Sequence, residues 1–151
     1  LAYKNQELFD YSFNGGTVIV QYNTNRNLVT QEIAPYPLLL SRDRVSVKTA
    51  PVRILEPRHR SMNFPNKITM DDFDGWVQER GLYFCSEWDE KFTPVLSSND
   101  PGESPKEGGV LVASHGECYY IYSGYSWFRE LPAGVEGAYR WFTNLMSIGH
   151  E

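Results

Sequence analysis

The pattern of apolar and polar positions begins with a helix followed by a strand. Residues 2–13 carry a partial apolar stripe and predict a helix, which ends where Gly15 and Gly16 allow a left-handed backbone. Residues 17–22 form a β-branched run that is apolar at nearly every position, as in a strand buried on both faces of a parallel sheet. Helix, glycine pair and strand together predict one αβ unit of an open α/β sheet.

The next part of the chain, residues 28–67, is interrupted by prolines at positions 35, 37, 51, 57 and 65. Proline removes a backbone donor and breaks regular elements. We therefore expect this segment to be irregular, with short strands only at 45–48 and 52–55.

Residues 69–80 predict a second helix. Thr69 is a good N-cap, and Asp72 three residues later resembles a capping box with Asp in place of Glu. Spacing of three and four residues places three apolar side chains on one face of that helix: Phe73, Trp76 and Val77.

The C-terminal part predicts a hairpin and a closing helix. Residues 109–124 contain two strand-like runs on either side of a turn at His115, Gly116 and Glu117. Residues 134–148 carry an amphipathic stripe and predict a helix that packs against the sheet.

Composition narrows the class of protein. The 151 residues fit one domain, and the net charge of −5 argues against nucleic acid, which needs a basic surface. No apolar run is long enough to span a membrane. The chain begins with Leu1 rather than Met, and we expect it to be a mature or excised piece of a larger protein. Cys85 and Cys118 could pair in an oxidising compartment or remain buried thiols.

No catalytic or metal-binding motif emerges from the residue spacing. Neither cysteine lies at a strand-to-helix turn suited to a nucleophile, and the histidines lie in loops, turns or near the end of the chain. The acids near residue 72 suit a solvated helix start better than a calcium site. Carboxylates suited to acid/base chemistry are present, but their separation cannot be obtained from the sequence.

The best candidates for ligand contact are polar and aromatic. The loop at 23–27 follows the predicted strand, and in open α/β sheets this end carries ligands, although an ordinary connector has the same composition. The polar residues of 69–80 could contact a ligand or lock neighbouring loops. The ligand-binding candidates are Asn23, Asn25, Asp74, Trp76, Gln78, Glu79, Arg80, Trp88 and Arg129.

Three segments resemble a known family, and the connecting segment at 94–112 fits it as well. The three are GGTVIVQYNT at 15–24, DFDGWVQERGLYF at 72–84 and SWFRELPAGVEGAYRWFTNL at 126–145, and the connecting segment is PVLSSNDPGESPKEGGVLV. Together they are similar to the C-terminal region of large bacterial LmbE/PIG-L-type deacetylases, in which a zinc-dependent N-acetylsugar deacetylase precedes a domain related to ThuA and the class I glutamine amidotransferases.

The resemblance implies a flavodoxin-like α/β sandwich with a mostly parallel sheet, either complete or lacking its N-terminal part. It implies no cofactor in this chain, since zinc would belong to the upstream catalytic domain. The amidotransferase nucleophile would follow the strand ending at Tyr22, where no cysteine occurs. The expected function is thus a non-catalytic accessory domain that binds a glycan or packs on the catalytic domain. A sugar- or amide-directed hydrolase with carboxylates near Trp76 and Trp88, and a purely structural interaction domain, remain as alternatives.

Overall fold

The computed structural model describes residues 3–26, 28 and 30–150. Helices and strands are interspersed along the chain, which confirms the α/β class in its broad sense. In chain order the elements are α1 (Asn5–Phe13), β1 (Val18–Gln21), β2 (Leu38–Val45), β3 (Val52–Ile54), two 3-10 turns (Arg60–Met62 and Met70–Phe73), β4 (Gly81–Trp88), β5 (Phe92–Pro94), β6 (Leu96–Ser98), β7 (Val110–His115), β8 (Cys118–Ser123), α2 (Trp127–Glu130) and α3 (Glu136–Ser147).

The largest sheet has four strands in the order β1-β8-β7-β5. Only the β1–β8 pair in it is parallel, while β7 pairs antiparallel with both β8 and β5. The expectation of a mostly parallel sheet is therefore wrong for the described residues. The antiparallel pairing of β7 and β8 has a local cause. They are joined by a tight turn in which Gly116 adopts φ 61°, and such a turn makes adjacent strands antiparallel.

Each face of this sheet has its own hydrophobic core. On one face the sheet packs against α3 and the second 3-10 turn, through a cluster that includes Val112, Ile121, Phe73, Trp127, Trp141 and Leu145. On the other face it packs against β2, β4 and α1, through Leu111, Tyr120, Tyr122, Leu40, Cys85 and Phe9. Burial on both faces explains why β7 and β8 read as nearly continuous apolar runs.

The elements at the two ends of the chain are confirmed. The predicted helix at 2–13 is α1, with residue 2 outside the described residues, and the predicted strand at 17–22 is β1. The predicted hairpin at 109–124 consists of β7 and β8. The predicted helix at 134–148 is α3, and a short helix that the pattern did not indicate, α2, precedes it.

The expectation of an irregular segment at 28–67 is partly wrong. It contains the eight-residue strand β2, which starts directly after Pro37 and ends at Val45, so the strand expected at 45–48 does not form. The proline does not interrupt β2 because it lies outside the hydrogen-bonded ladder with β4. The strand expected at 52–55 is found as β3.

The predicted helix at 69–80 is wrong beyond its first turn. Thr69 N–H donates to Asp72 Oδ2 at 2.8 Å, as the capping pattern predicts, but only a 3-10 turn follows. Asp74 is extended, with ψ 157°, and Gly75 is left-handed, with φ 72°, so the chain leaves the helical path there. Val77, predicted on the same apolar face as Phe73 and Trp76, is 47% exposed.

Candidate functional site

The carboxyl ends of the two parallel strands meet at one edge of the sheet. Gln21 at the end of β1 lies opposite Ser123 at the end of β8. The pairing extends one residue further, because Tyr22 N–H donates to Ser123 O at 2.8 Å. In α/β sheets ligands bind at this edge, so the side chains that surround Tyr22 form the candidate site.

Tyr22 and Tyr83 both adopt a left-handed backbone conformation. Their φ values are 47° and 63°, and they are the non-glycine residues with positive φ in the described part of the chain. This conformation costs an ordinary residue about 1–2 kcal/mol, because Cβ approaches a carbonyl oxygen. Such strain concentrates at functional positions.

The two tyrosines and Phe128 form a row of aromatic rings. The Tyr22 ring lies in the middle, with its centroid 4.7 Å from that of Phe128 and 5.5 Å from that of Tyr83, both in edge-to-face geometry. Tyr22 and Tyr83 are half-buried, and Phe128 is 45% exposed. An exposed ring supported by two partly buried rings is a rigid apolar surface that remains open to solvent.

Two charged side chains adjoin the row of rings. The Tyr22 hydroxyl donates a hydrogen bond to Glu79 Oε1 at 3.1 Å. Arg129 adjoins the row at Phe128, with Cζ 5.3 Å from the centroid of the Phe128 ring. We name the five residues Tyr22, Glu79, Tyr83, Phe128 and Arg129 the elbow cluster.

The electrostatics of the elbow cluster keep the Tyr22 phenol protonated. Burial, the Glu79 carboxylate and Tyr83 raise the pKa of Tyr22 to about 12, whereas Arg129 acts in the opposite direction. At neutral pH Tyr22 is therefore a hydrogen-bond donor rather than a nucleophile.

The loop at 74–80, which carries Glu79, is held by two buried charged residues. The fully buried carboxylate of Glu130 accepts the backbone N–H of Val77 at 2.8 Å and that of Gln78 at 3.0 Å. Arg80 donates through Nε and Nη2 to Ala50 O at 3.1 and 2.9 Å, and through Nη1 to Phe73 O. The loop is thus fixed by specific polar contacts although it has no regular secondary structure.

Three of the residues predicted from the sequence lie at this edge. Glu79 and Arg129 belong to the elbow cluster, and Asn23 follows Tyr22 directly, with Nδ2 3.4 Å from Gln21 O. Asn25 lies two residues further along the same loop, and its buried Oδ1 accepts no hydrogen bond from the described residues. Residue 27, the end of the predicted loop, lies outside the described residues.

The other predicted residues do not join the elbow cluster. Trp76 is 3% exposed, packed against Trp127 and Tyr125, and the buried Arg80 locks the loop, so neither presents a surface to a ligand. Asp74 and Gln78 are exposed on the loop at 74–80.

Trp88 lies at the opposite end of β4 from Tyr83, on the order of 17 Å along the strand. It lines a separate open cleft of about 390 Å³ together with Leu39, Glu87 and Asp89.

Three members of the elbow cluster were missed from the sequence: Tyr22, Tyr83 and Phe128. Tyr22 had a usable signal, since it follows the predicted strand directly. Tyr83 and Phe128 had no such sequence signal. They approach Tyr22 only because of the left-handed backbone at Tyr83 in β4 and the unpredicted helix α2.

A second polar pair, Ser12 and His115, resembles a catalytic dyad only in its distance. Ser12 Oγ lies 2.5 Å from His115 Nδ1, but Ser12 is fully buried, and the imidazole is surrounded by the rings of Phe9, Phe13 and Tyr36. Burial lowers the pKa of His115. The pair fastens α1 to β7 and leaves no space for a substrate beside the hydroxyl.

Two further findings concern the described residues. Within residues 3–26, 28 and 30–150, no group of three or more His, Cys, Asp or Glu side chains is placed to hold a metal ion. In the same part of the chain, no helix is long and apolar enough to cross a membrane.

Comparison of the chain with protein-family models, with curated proteins and with solved structures finds no match.

Proposed function

We propose that this chain is a non-catalytic accessory domain that binds carbohydrate through the elbow cluster, within a protein that carries an N-acetylsugar deacetylase of the LmbE/PIG-L type. The observation that carries the proposal is the row of rings Phe128–Tyr22–Tyr83 at the ligand edge of the parallel pair. Partly exposed rings can stack on the apolar face of a sugar, and Glu79 and Arg129 beside them can bind its hydroxyl groups.

The identity of the residue after β1 supports a non-catalytic role. In an amidotransferase-like domain a nucleophilic residue would occupy this position. The residue found here is Tyr22, whose phenol is protonated at neutral pH. In this proposal the described sheet is the C-terminal part of a flavodoxin-like sandwich, with β1 and β8 as parallel strands. The left-handed backbone of Tyr22 agrees with a sharp elbow after such a strand.

The helix α1 supports the second half of the expected role, packing on the catalytic domain. Its side chains Tyr11 and Phe13 are 58% and 56% exposed. Exposed aromatic residues on one helix are suited to burial against another domain. The α1 surface lies apart from the elbow cluster in this proposal, so the two contacts can be tested separately.

The hydrolase alternative receives less support from the geometry. It requires carboxylates near tryptophans that can contact a substrate. Trp76 is buried, which leaves Trp88, in its open cleft with Glu87 and Asp89, as the tryptophan that meets this requirement. Alanine at Glu79 or Glu87 with a measured hydrolytic activity on sugars or amides remains the direct test of it.

Calorimetric titration with N-acetylglucosamine and glucosamine oligomers tests carbohydrate binding. Phe128→Ala removes the exposed ring, and we expect it to weaken binding about tenfold. The matched control is Tyr11→Ala, which removes an exposed ring from α1 and should leave the affinity unchanged. A chain that binds no oligomer of a broad glycan array, or equal effects of the two substitutions, would exclude this site.

A further inference from the structure

The second candidate site lies on the segment between Pro57 and Lys67. Its residues line an open cavity of about 410 Å³, through Pro57, Arg58, Arg60, Asn63, Phe64 and Lys67. No Asp or Glu occurs in the sequence between Glu56 and Asp71, although the whole chain has a net charge of −5. The cavity therefore concentrates positive charge on an acidic protein.

One cationic side chain of this cavity lies over an aromatic ring. The guanidinium carbon of Arg60 lies 4.3 Å from the centroid of Phe64, close enough for a cation–π contact. Phe64 is nevertheless 42% exposed, so part of the ring faces solvent. Lys67 Nζ donates to Asn63 Oδ1 at 2.8 Å, which leaves further ammonium hydrogens able to bind an anion.

The backbone beneath the cavity is fixed by polar contacts. Asn63 Nδ2 donates to Pro57 O at 2.9 Å and to His59 O at 2.8 Å, which closes the segment on itself. Asn144 of α3 donates to Ser61 O at 2.8 Å and to Asn66 O at 2.7 Å, which fastens the segment to the core. The charged groups are therefore presented by a preorganised frame rather than by a loose loop.

His59 does not add to the positive charge at neutral pH. Its Nδ1 lies 2.7 Å from Ser61 Oγ and accepts the Ser61 backbone N–H at 3.2 Å, and burial lowers its pKa. The positive charge comes from Arg58, Arg60 and Lys67. Guanidinium groups bind carboxylate and sulfate groups through paired hydrogen bonds, and lysine binds them as a point charge.

We propose that this cavity binds an acidic saccharide, with its carboxylate or sulfate group on Arg58 and Lys67 and the apolar face of its ring on Phe64. A volume of this size is within the usual range for a small-molecule site. The exposed ring favours a sugar over a simple inorganic anion, and the acidic character of the whole chain disfavours nucleic acid. This site is separate from the elbow cluster and does not depend on it.

The test is a calorimetric titration of the chain with four probes of matched length or charge. They are an oligogalacturonate, a heparin-derived oligosaccharide, a neutral dextran oligomer and a single-stranded oligodeoxynucleotide. We expect at least one acidic saccharide to bind about tenfold or more tightly than the neutral oligomer, and more weakly as the NaCl concentration rises. Comparison of the first two probes shows whether the site takes carboxylate or sulfate.

Variants separate this site from the rest of the molecule. Arg58→Gln combined with Lys67→Gln should weaken binding of the acidic saccharide about tenfold, whereas Lys48→Gln, at an exposed lysine elsewhere, should not. Phe64→Ala should weaken binding of the acidic saccharide but not binding of inorganic sulfate, which has no ring to contact Phe64. The Arg58→Gln and Lys67→Gln substitutions leave the elbow cluster intact, so failure of the elbow cluster and failure of this site are distinguishable. Three outcomes would each overturn the proposal. They are equal binding of acidic and neutral oligomers, a loss of affinity in Lys48→Gln as large as in the Arg58→Gln and Lys67→Gln double variant, and oligonucleotide binding as tight as saccharide binding.

Discussion

Tyr22 and Glu79, which are 57 positions apart in the sequence, share a hydrogen bond from the phenol to the carboxylate. Glu79 is one of the groups that raise the pKa of Tyr22 to about 12. Glu79→Gln removes the negative charge but keeps a hydrogen-bond acceptor, and the pKa of Tyr22 should therefore fall towards its ordinary value. An NMR titration with ¹³C-labelled tyrosine measures this pKa directly. The matched control is Glu87→Gln at an exposed site on β4, and a pKa of Tyr22 that is the same in all three proteins would contradict the contact.

Buried tyrosines make the fold sensitive to alkali. Burial is the first cause of the raised pKa of Tyr22 and Tyr125, both to about 12, and it also raises the pKa of Tyr120 and Tyr122. In the unfolded chain these phenols ionise near pH 10, so above that pH the folded state holds more protons and stability falls as pH rises. The loss is at most about 1.4 kcal/mol per pH unit for each such group, and less for the partly exposed Tyr22.

Urea unfolding between pH 9 and pH 11.5 measures this effect. The free energy of unfolding should be nearly constant up to about pH 10 and then decline. In Tyr125→Phe the decline should be shallower, since one fully buried phenol is removed, although loss of its bond with Ser98 Oγ lowers stability at every pH. A free energy that stays constant to pH 11.5 would contradict the burial of these hydroxyl groups.

The elements that the sequence predicted correctly are those determined by neighbouring residues. In α3, Ala138, Trp141 and Leu145 recur at helical spacing and are all buried. In the hairpin, Gly116 supplies the left-handed residue that the turn between β7 and β8 requires. Local periodicity and turn chemistry are sufficient in both cases because no distant partner decides the backbone conformation.

The prediction of a helix at 69–80 was wrong because distant residues determine that segment. Phe73 and Trp76 are both buried, as helical spacing predicts, but they enter the core from a 3-10 turn and a loop. The loop amides find their acceptor in Glu130, more than fifty positions later. A hydrogen bond of this kind has no periodic pattern in the sequence, and the same is true of the ring contacts that assemble the elbow cluster.

Glu130 should therefore be important for both stability and the elbow cluster. Glu130→Gln keeps the shape of the side chain but replaces one acceptor oxygen by an amide donor, so that one N–H of Val77 or Gln78 loses its partner on the buried side chain. We expect the free energy of unfolding to fall by about 2–3 kcal/mol. Hydrogen exchange at these two amides should accelerate in the variant.

Glu136→Gln is the control for Glu130→Gln, since Glu136 is exposed at the start of α3. Its effect on the free energy of unfolding should stay within about 0.5 kcal/mol. Equal exchange rates for Val77 and Gln78 in the wild-type chain and Glu130→Gln would show that the carboxylate does not hold this loop.

The two cysteines should be unreactive in the folded chain. Cys85 and Cys118 are both buried as free thiols, and burial raises the pKa of Cys85 to about 12. The thiolate is the reactive form, so a disulfide reagent at pH 8 should label neither residue in the folded state and both in urea. Rapid labelling of the folded chain, or failure to label in urea without reductant, would contradict the free, buried state.

A close backbone approach makes Gly137 essential in α3. A Cβ atom built on Gly137 would lie 1.8 Å from Asp72 O, where α3 crosses the second 3-10 turn. Alanine normally stabilises a helix interior by about 1 kcal/mol relative to glycine, but here it must push the two elements apart. Because overpacking of this kind usually costs about 1–3 kcal/mol, we expect Gly137→Ala to lower the free energy of unfolding in urea. Met146→Ala, at an exposed position of the same helix, should change the stability by less than about 0.5 kcal/mol. A Gly137→Ala chain that is more stable than the wild type would show that α3 does not pack against the turn at this distance.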